Sequence, residues 1–125
     1  MGGRIALVIS FLRLLKSFRH AWRGLIHTLF YHQNLRIHLV VAGLATGLGL
    51  YFQISSREWF GILVAIFLVL VAEMINTSLE EIINLVKEDH HERARIAKDV
   101  SAGMVLLATI FAVLVGLAIF LPRVF

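Results

Sequence analysis

Three long apolar segments alternate with short polar ones along the chain. They cover residues 37–52, about 59–86, and 100–121. A helix of about twenty residues, rising 1.5 Å per residue, crosses the hydrocarbon core of a bilayer. We therefore predict three membrane-spanning helices in a single domain, residues 1–125. Their expected bounds are about 35–52, 58–86 and 96–121, with Pro122 ending the last helix.

The residues before the first apolar segment follow a helical period instead. Apolar residues share one side of a helix, and basic residues share the other: Phe11, Leu15, Phe18, Trp22, Leu25, Ile26 and Leu29 against Arg13, Lys16, His20 and Arg23. This pattern predicts an amphipathic helix at about residues 5–31, lying on the membrane surface. Because Ser10 and Arg13 interrupt the early apolar stretch, we do not expect a cleaved signal peptide.

Composition and charge agree with a membrane protein. Hydrophobic residues make up 59% of the chain and the mean hydropathy is +0.86, which excludes an ordinary soluble globule. Ten of the twelve Lys and Arg residues precede the first apolar segment or lie between the second and third, and only Arg57 and Arg123 lie elsewhere. The positive-inside rule then places the N-terminal region and residues 87–99 in the cytoplasm. Topology and anionic lipid account for this charge, so no nucleic-acid partner is expected.

A polar stripe enters the second predicted span. Glu73, Asn76 and Glu80 are spaced i, i+3 and i+7, which places them within about 60° on one helix face, and Asn84 continues the stripe. Carboxylates in a membrane-length apolar segment are costly, so they indicate a functional site. The alternative is that they make only structural hydrogen bonds between helices or subunits.

The two carboxylates lie at different predicted depths in the membrane, which suggests different chemical roles for them. If Trp59 marks the outer interface, Glu73 lies about 21 Å inward and Glu80 about 31 Å inward. Glu73 would then meet a lipid hydroxyl at headgroup level, as a general base. Glu80 would lie at the membrane–water boundary, where it could hold a hard cation.

Residues 87–99 form a charged segment that faces this stripe. In this segment, Lys98 could neutralise phosphate charge, and Asp99 could orient the Lys98 side chain. The alternative is that the segment is only a solvated connector, as such segments often are. His90 and His91 are adjacent and do not form the i, i+4 pair of a helical metal site. The chain has no GxxxxGK[ST], GxGxxG or HRD–DFG motif, which argues against the common soluble nucleotide-binding folds. It also has no cysteine, which excludes disulfides and zinc–thiolate sites.

Two motifs carry a resemblance to a known family. The segment AEMINTSLE, residues 72–80, and the segment AKDVSAG, residues 97–103, together closely resemble the prokaryotic diacylglycerol kinase family. Its undecaprenol kinase branch, typical of Gram-positive bacteria, is the nearer match. The segments AWRG, residues 21–24, and NLRIHL, residues 34–39, also resemble that branch. The resemblance runs from Phe11 onward, and the combination ExxNxxxE with AKDxxAG is specific where either half alone is weak.

The resemblance implies an all-α integral membrane lipid kinase, a homotrimer of three-span subunits with a surface helix. Such enzymes transfer the γ-phosphoryl group of ATP to a lipid hydroxyl with Mg²⁺, at active sites shared between subunits. The expected location is the bacterial inner membrane, with the active site on the cytoplasmic side. The branch favours undecaprenol as the substrate, with diacylglycerol as the other candidate.

The resemblance also assigns roles to residues. Glu73 matches the general base, Asn76 its polar neighbour, and Glu80 a metal-binding carboxylate. Residues at the family's nucleotide contacts are Arg13, His20, Asp89, His91, Lys98 and Asp99. Trp22 and Glu73 lie on the lipid-substrate side.

Two positions depart from the family pattern. His32 stands where many members have a second metal-binding Glu, and Asn84 stands where a family Asp follows Glu80 by four residues. Imidazole is a poor ligand for Mg²⁺, although phosphate oxygens of ATP can supply several ligands.

Three interpretations stay open at this point: a lipid kinase, a small transporter or channel, and a catalytically silent membrane scaffold. Intramembrane Glu residues also mark ion pathways, which is the case for a conduit. Both Glu residues lie toward one leaflet, however, which suits a surface reaction better. The departures at His32 and Asn84 are the case for a silent scaffold.

Overall fold

The computed structural model describes residues 10–85 and 92–125, and it shows four helices joined by short connections. They are α1 (Phe11–Tyr31), α2 (Gln33–Tyr51), α3 (Ser56–Leu85) and α4 (Glu92–Val124). Within these ranges there is no strand, which confirms the all-α class. The expected start of the surface helix, residues 5–9, lies outside the described residues.

Helix α1 is amphipathic and largely uncovered by the rest of the chain. Ser10 caps it by accepting a hydrogen bond from the backbone N–H of Arg13 at 3.4 Å. Its apolar residues Phe11, Phe18 and Trp22 remain about two-thirds exposed. An apolar helix face that the chain leaves open needs a membrane surface or a partner to cover it.

A single residue, His32, joins α1 to α2. It ends α1 and precedes α2 in an extended conformation, with φ −115° and ψ 112°. Its backbone N–H donates to the carbonyl oxygen of Thr28 at 2.9 Å. Thr28 and Leu35, one turn away on either side, are both buried, so this corner is held in place.

The most extensive helix contact is between α3 and α4. Buried α3 residues recur every three or four positions at Ile62, Ala65, Val69 and Ala72, the period of one helix face. Near the start of α3 an apolar cluster closes the bundle, in which Ile62 packs with Ile54 and Ile119. The face that is apolar at Ile62 becomes polar from Glu73 onward, which positions the candidate site described below.

Two described helices, α3 and α4, are long and apolar enough to cross a membrane. Their own chain buries only 33% and 6% of their most apolar windows. The core helix of a soluble protein would be mostly covered, so lipid or other subunits must cover these two. Helix α2, with 19 residues, does not meet the same criterion, since Gln33, Asn34 and Arg36 occupy its first turn.

The ends of α4 differ from the predicted ones. The helix begins at Glu92, so Lys98 and Asp99 lie on the helix and not in a connecting segment. It also continues past Pro122 to Val124, and the prediction that Pro122 ends it was wrong. Proline at position 122 removes the N–H that would donate to the carbonyl oxygen of Ala118, but only two helical residues follow it. The end is also held from outside, because Arg123 donates to both carboxylate oxygens of Glu58 at 2.8 and 2.9 Å.

A substitution at Gly49 in α2 tests the close approach of α2 to α3. A Cβ at this position would lie 2.8 Å from the Trp59 ring and 3.1 Å from Ile54. We expect Gly49→Ala to lower the free energy of unfolding by about 1–3 kcal/mol, because a rigid ring must move. The measurement is the thermal midpoint in detergent micelles.

Gly47 supplies the matched control, since a Cβ there meets nothing within 4 Å. Gly47→Ala should be neutral or stabilising by about 0.5–1 kcal/mol, the usual helical preference for alanine. Equal midpoints for the two variants would show that α2 and α3 do not approach as described.

Candidate active site

The polar stripe of α3 faces the interior of the bundle. Glu73 is 2% exposed, and Asn76 and Thr77 are each 6% exposed. Glu80 is half-buried and Asn84 is exposed, so burial falls steadily toward the end of α3. The stripe therefore begins within the packed helices and ends at an open surface.

Asn76 links α3 to α4 by hydrogen bonds. Its Nδ2 donates to Oε1 of Glu80 at 3.4 Å, and its Oδ1 accepts from the hydroxyl of Ser101 at 2.7 Å. The same hydroxyl lies 2.9 Å from the carbonyl oxygen of Lys98, so one proton serves two acceptors. Ser101 is fully buried. Because Oδ1 faces α4, the amide nitrogen of Asn76 is directed at Glu80.

Two buried oxygen atoms on this face have no hydrogen-bond partner within residues 10–85 and 92–125. They are Oε2 of Glu73 and Oγ1 of Thr77. An unsatisfied buried polar atom costs about 1–3 kcal/mol, and more if the group is charged. Such atoms are rare in folded proteins, and they mark a place where a further donor or acceptor fits.

Thr77 differs from other hydroxyl residues in the helices. Thr28, Thr46 and Ser78 each donate to the carbonyl oxygen four residues earlier, at 2.8–2.9 Å. Thr77 makes no such bond to Glu73 within the described chain, so its hydroxyl is free to serve another group. Neither Thr77 nor Ser101 is among the site residues predicted from the sequence. The i+4 spacing of Thr77 from Glu73 and the position of Ser101 in the AKDVSAG segment could have indicated both.

The other predicted site residues lie at varying distance from this centre. Lys98 is half-buried on α4, one turn before Ser101, and Asp99 beside it is exposed. The structure leaves three predicted residues exposed on α1 and does not bury them beside the stripe: Arg13, His20 and Trp22. Asp89 and His91 lie outside the described residues.

His32, the second residue predicted to bind a metal, lies close to Glu81 and not to Glu80. Its Nε2 lies 3.8 Å from Oε1 of Glu81, the next residue along α3. Successive residues on a helix are rotated by about 100°, so Glu80 and Glu81 face different directions. Glu80 contacts Asn76, whereas Glu81 is directed at the corner between α1 and α2.

The carboxylate oxygens of Glu80 are suitable ligands for a hard cation. Oε1 of Glu80 accepts from Asn76, which leaves the second carboxylate oxygen for a ligand. Mg²⁺ is usually held by one or two carboxylates together with water and substrate phosphates. A half-buried carboxylate at the open end of the stripe meets that requirement without a complete protein cage.

Comparison with known proteins is consistent with this geometry. The sequence pattern of the prokaryotic diacylglycerol kinase family matches residues 19–120. The chain is 34% identical to an undecaprenol kinase of Bacillus subtilis, over 89% of this chain and 90% of that protein. It is 41% identical to a diacylglycerol kinase of Synechocystis, over 87% of this chain and 63% of that protein. A diacylglycerol kinase of Escherichia coli is 25% identical over 84% of this chain and 86% of that protein.

The matched region includes most of α1, all of α2 and α3, and α4 as far as Phe120. It therefore contains the whole polar stripe and the Ser101 contact. On this match, the chain belongs to the prokaryotic diacylglycerol kinase family of membrane lipid kinases.

Proposed function

We propose that the protein transfers the γ-phosphoryl group of ATP to the hydroxyl of a membrane lipid, with Mg²⁺ as cofactor. Undecaprenol is the preferred substrate in this proposal and diacylglycerol the second candidate. The observation that carries the proposal is the buried, unpartnered Oε2 of Glu73, one helix turn from the Asn76–Glu80 pair. Membership of a lipid kinase family favours this proposal over a transporter or a catalytically silent scaffold.

Glu73 acts as the general base in this mechanism. The free carboxylate oxygen of Glu73 accepts the proton of the lipid hydroxyl while the hydroxyl oxygen attacks the γ-phosphorus. The lipid O–P bond forms, the bond to the bridging β,γ-oxygen breaks, and ADP leaves. Because Glu73 is almost wholly covered, the hydroxyl reaches it only after a local movement of the surrounding helices.

Glu80 and Asn76 form the cation-binding part of the proposed site. Asn76 holds one carboxylate oxygen of Glu80 and leaves the other for Mg²⁺. The bound ion would neutralise charge on the phosphate oxygens of ATP. Ser101 fixes the Asn76 amide in the orientation that this requires.

Basic and acidic residues nearer the cytoplasm complete the proposed nucleotide site. Lys98 offsets negative charge on the transferred group, and its backbone is tied to the Asn76 contact through Ser101. The family resemblance supports further nucleotide contacts from five residues outside the stripe: Arg13, His20, Asp89, His91 and Asp99. Trp22 on the surface helix is the proposed contact on the lipid side.

The proposed assembly is a homotrimer of three-span subunits, with α2 as the third span and active sites shared between subunits. Its exposed apolar surface supports this. An apolar cleft of about 450 Å³ opens between α2, α3 and α4, away from the stripe, and needs lipid or a neighbouring subunit to fill it. The charge distribution supports a bacterial inner-membrane location with the stripe's open end on the cytoplasmic side.

The preference for undecaprenol rests on two supports. The motifs around Trp22 and His38 resemble the undecaprenol kinase branch, and the Bacillus relative matches along nearly its full length. The Synechocystis diacylglycerol kinase has higher identity, but this chain spans only 63% of it.

Glu73→Gln tests the general base. We expect turnover to fall by about 10²–10⁴-fold, the usual contribution of a positioned base, while helix content and oligomer size stay unchanged. The assay uses labelled ATP and Mg²⁺ with undecaprenol, diacylglycerol and ceramide in turn, and the labelled product identifies the substrate. Glu92→Gln, an exposed carboxylate at the start of α4, is the matched control. Wild-type turnover by Glu73→Gln would exclude Glu73 from this role.

Glu80→Gln tests the cation site. We expect the Mg²⁺ concentration for half-maximal turnover to rise by at least about tenfold, since even outer-shell changes at metal sites weaken affinity that much. Glu92→Gln should retain the wild-type requirement. An unchanged Mg²⁺ dependence in Glu80→Gln would contradict the assignment.

Ser101→Ala tests the link between α3 and α4. It leaves Oδ1 of Asn76 buried without its donor, so we expect a loss of about 1–3 kcal/mol in the free energy of unfolding. A cycle with Asn76→Ala should be non-additive by about 0.5–3 kcal/mol, since the two residues share one contact. Ser78→Ala, which removes an exposed hydroxyl on α3, is the control. Additive effects would show that Ser101 and Asn76 do not interact.

A further inference from the structure

A second group of polar side chains lies at the corner where α1, α2 and α3 meet. It comprises His27 in the last turns of α1, His32 at the junction, and Glu81 on α3. One ligand atom from each, two imidazole nitrogens and a carboxylate oxygen, all lie within 4.8 Å of one another. Within the group, Nε2 of His32 lies 3.8 Å from Oε1 of Glu81.

The corner itself brings the two histidines together. His32 is the single residue between two helices, and its backbone is bonded to Thr28. The ring of His27 stacks on Tyr31, with 4.6 Å between ring centroids, and its centroid lies 6.5 Å from that of His32. The junction therefore places both imidazoles on the same side of the corner.

Glu81 is separate from the proposed kinase site although it follows Glu80 directly. The carboxylate of Glu80 accepts from Asn76 on the face toward α4. The carboxylate of Glu81 is directed at His32, about 100° further around α3. The two adjacent carboxylates therefore contact different parts of the molecule.

We propose that His27, His32 and Glu81 form a binding site for a divalent transition metal, Zn²⁺ or a similar ion, distinct from the Mg²⁺ held at Glu80. Two His and one Glu, with water at the open position, are a known ligand set for zinc. Imidazole nitrogen suits zinc, cobalt and nickel, whereas Mg²⁺ selects oxygen ligands. The site does not depend on the proposed phosphoryl transfer.

The distances allow a metal after small side-chain movements. Ligands about 2.0–2.1 Å from a tetrahedral zinc lie roughly 3.3 Å apart. The measured separations of 3.8 Å and up to 4.8 Å are slightly wider. His27 and Glu81 are exposed, so their side chains can rotate inward without disturbing packing. A bound ion would cross-link the surface helix and the corner to α3, which stabilises the folded arrangement.

The test is a metal titration of the full chain in micelles, with any affinity tag removed and with neither ATP nor lipid substrate added. Co²⁺ is followed by its visible absorption spectrum, and Zn²⁺ by calorimetry and by displacement of Co²⁺. We expect one ion per chain, with no displacement by Mg²⁺. His27→Ala, His32→Ala and Glu81→Gln should each weaken Zn²⁺ affinity by at least about tenfold.

Matched controls are His38→Ala and Glu92→Gln, which remove an imidazole and a carboxylate outside the cluster. Both should keep wild-type affinity. Wild-type affinity in His32→Ala and Glu81→Gln would overturn the proposal. So would loss of the site in a His90→Ala, His91→Ala double variant, because the metal would then be bound by that segment.

Stability provides a second readout, independent of kinase activity. Zn²⁺ should raise the thermal midpoint of the wild type and leave that of Glu81→Gln unchanged, since a ligand stabilises only the form that binds it. An equal rise in both would contradict the site. Turnover with Mg²⁺ is measured separately, so a chain that binds Zn²⁺ but transfers no phosphate refutes only the proposed function, and the reverse result refutes only the zinc site.

Discussion

The contact between Ser101 and Asn76 lets α3 and α4 pack through a polar section of their interface. An amide buried among apolar side chains is costly unless its hydrogen bonds are made. Ser101 supplies the donor to Oδ1 from α4, and Glu80 supplies the acceptor for Nδ2 from α3. The interface can then continue from its apolar part at Ile62 to the stripe without leaving this side chain unpaired.

The same interface leaves Glu73 as an exception. Its Oε2 is buried and has no partner in the described parts of the chain, whereas both polar side-chain atoms of Asn76, one turn further on, have a partner. A fold that satisfies one polar residue and leaves another unsatisfied retains an acceptor for a group outside the described residues. In the proposed mechanism, that group is the lipid hydroxyl to be phosphorylated.

The end of α3 contacts two different parts of the molecule because consecutive residues on a helix point in different directions. Glu80 faces Asn76 and Glu81 faces His32, so a histidine at position 32 need not alter the proposed cation site at Glu80. It sets the chemistry of the corner instead, where imidazole favours softer metals than Mg²⁺. The departure at His32 therefore lies outside the polar stripe.

The helical class, the amphipathic surface helix and the alignment of Glu73, Asn76 and Glu80 were determined by the sequence alone. Each depends on spacing within one helix, and a period of 3.6 residues makes neighbours at i+3, i+4 and i+7 predictable. The polarity of Gln33, Asn34 and Arg36 also explains why α2 does not meet the hydropathy requirement for a membrane span that α3 and α4 meet.

Only the tertiary structure decided which helices supply the partners. Ser101 lies 25 residues from Asn76, and Arg123 lies 65 residues from Glu58. The pairing of His32 with Glu81 instead of Glu80 likewise depends on how far α3 is rotated about its axis. Spacing along a chain fixes which side chains share a face. The direction of that face is set by packing against other helices, because many rotations bury similar apolar area and only the long-range contacts distinguish them.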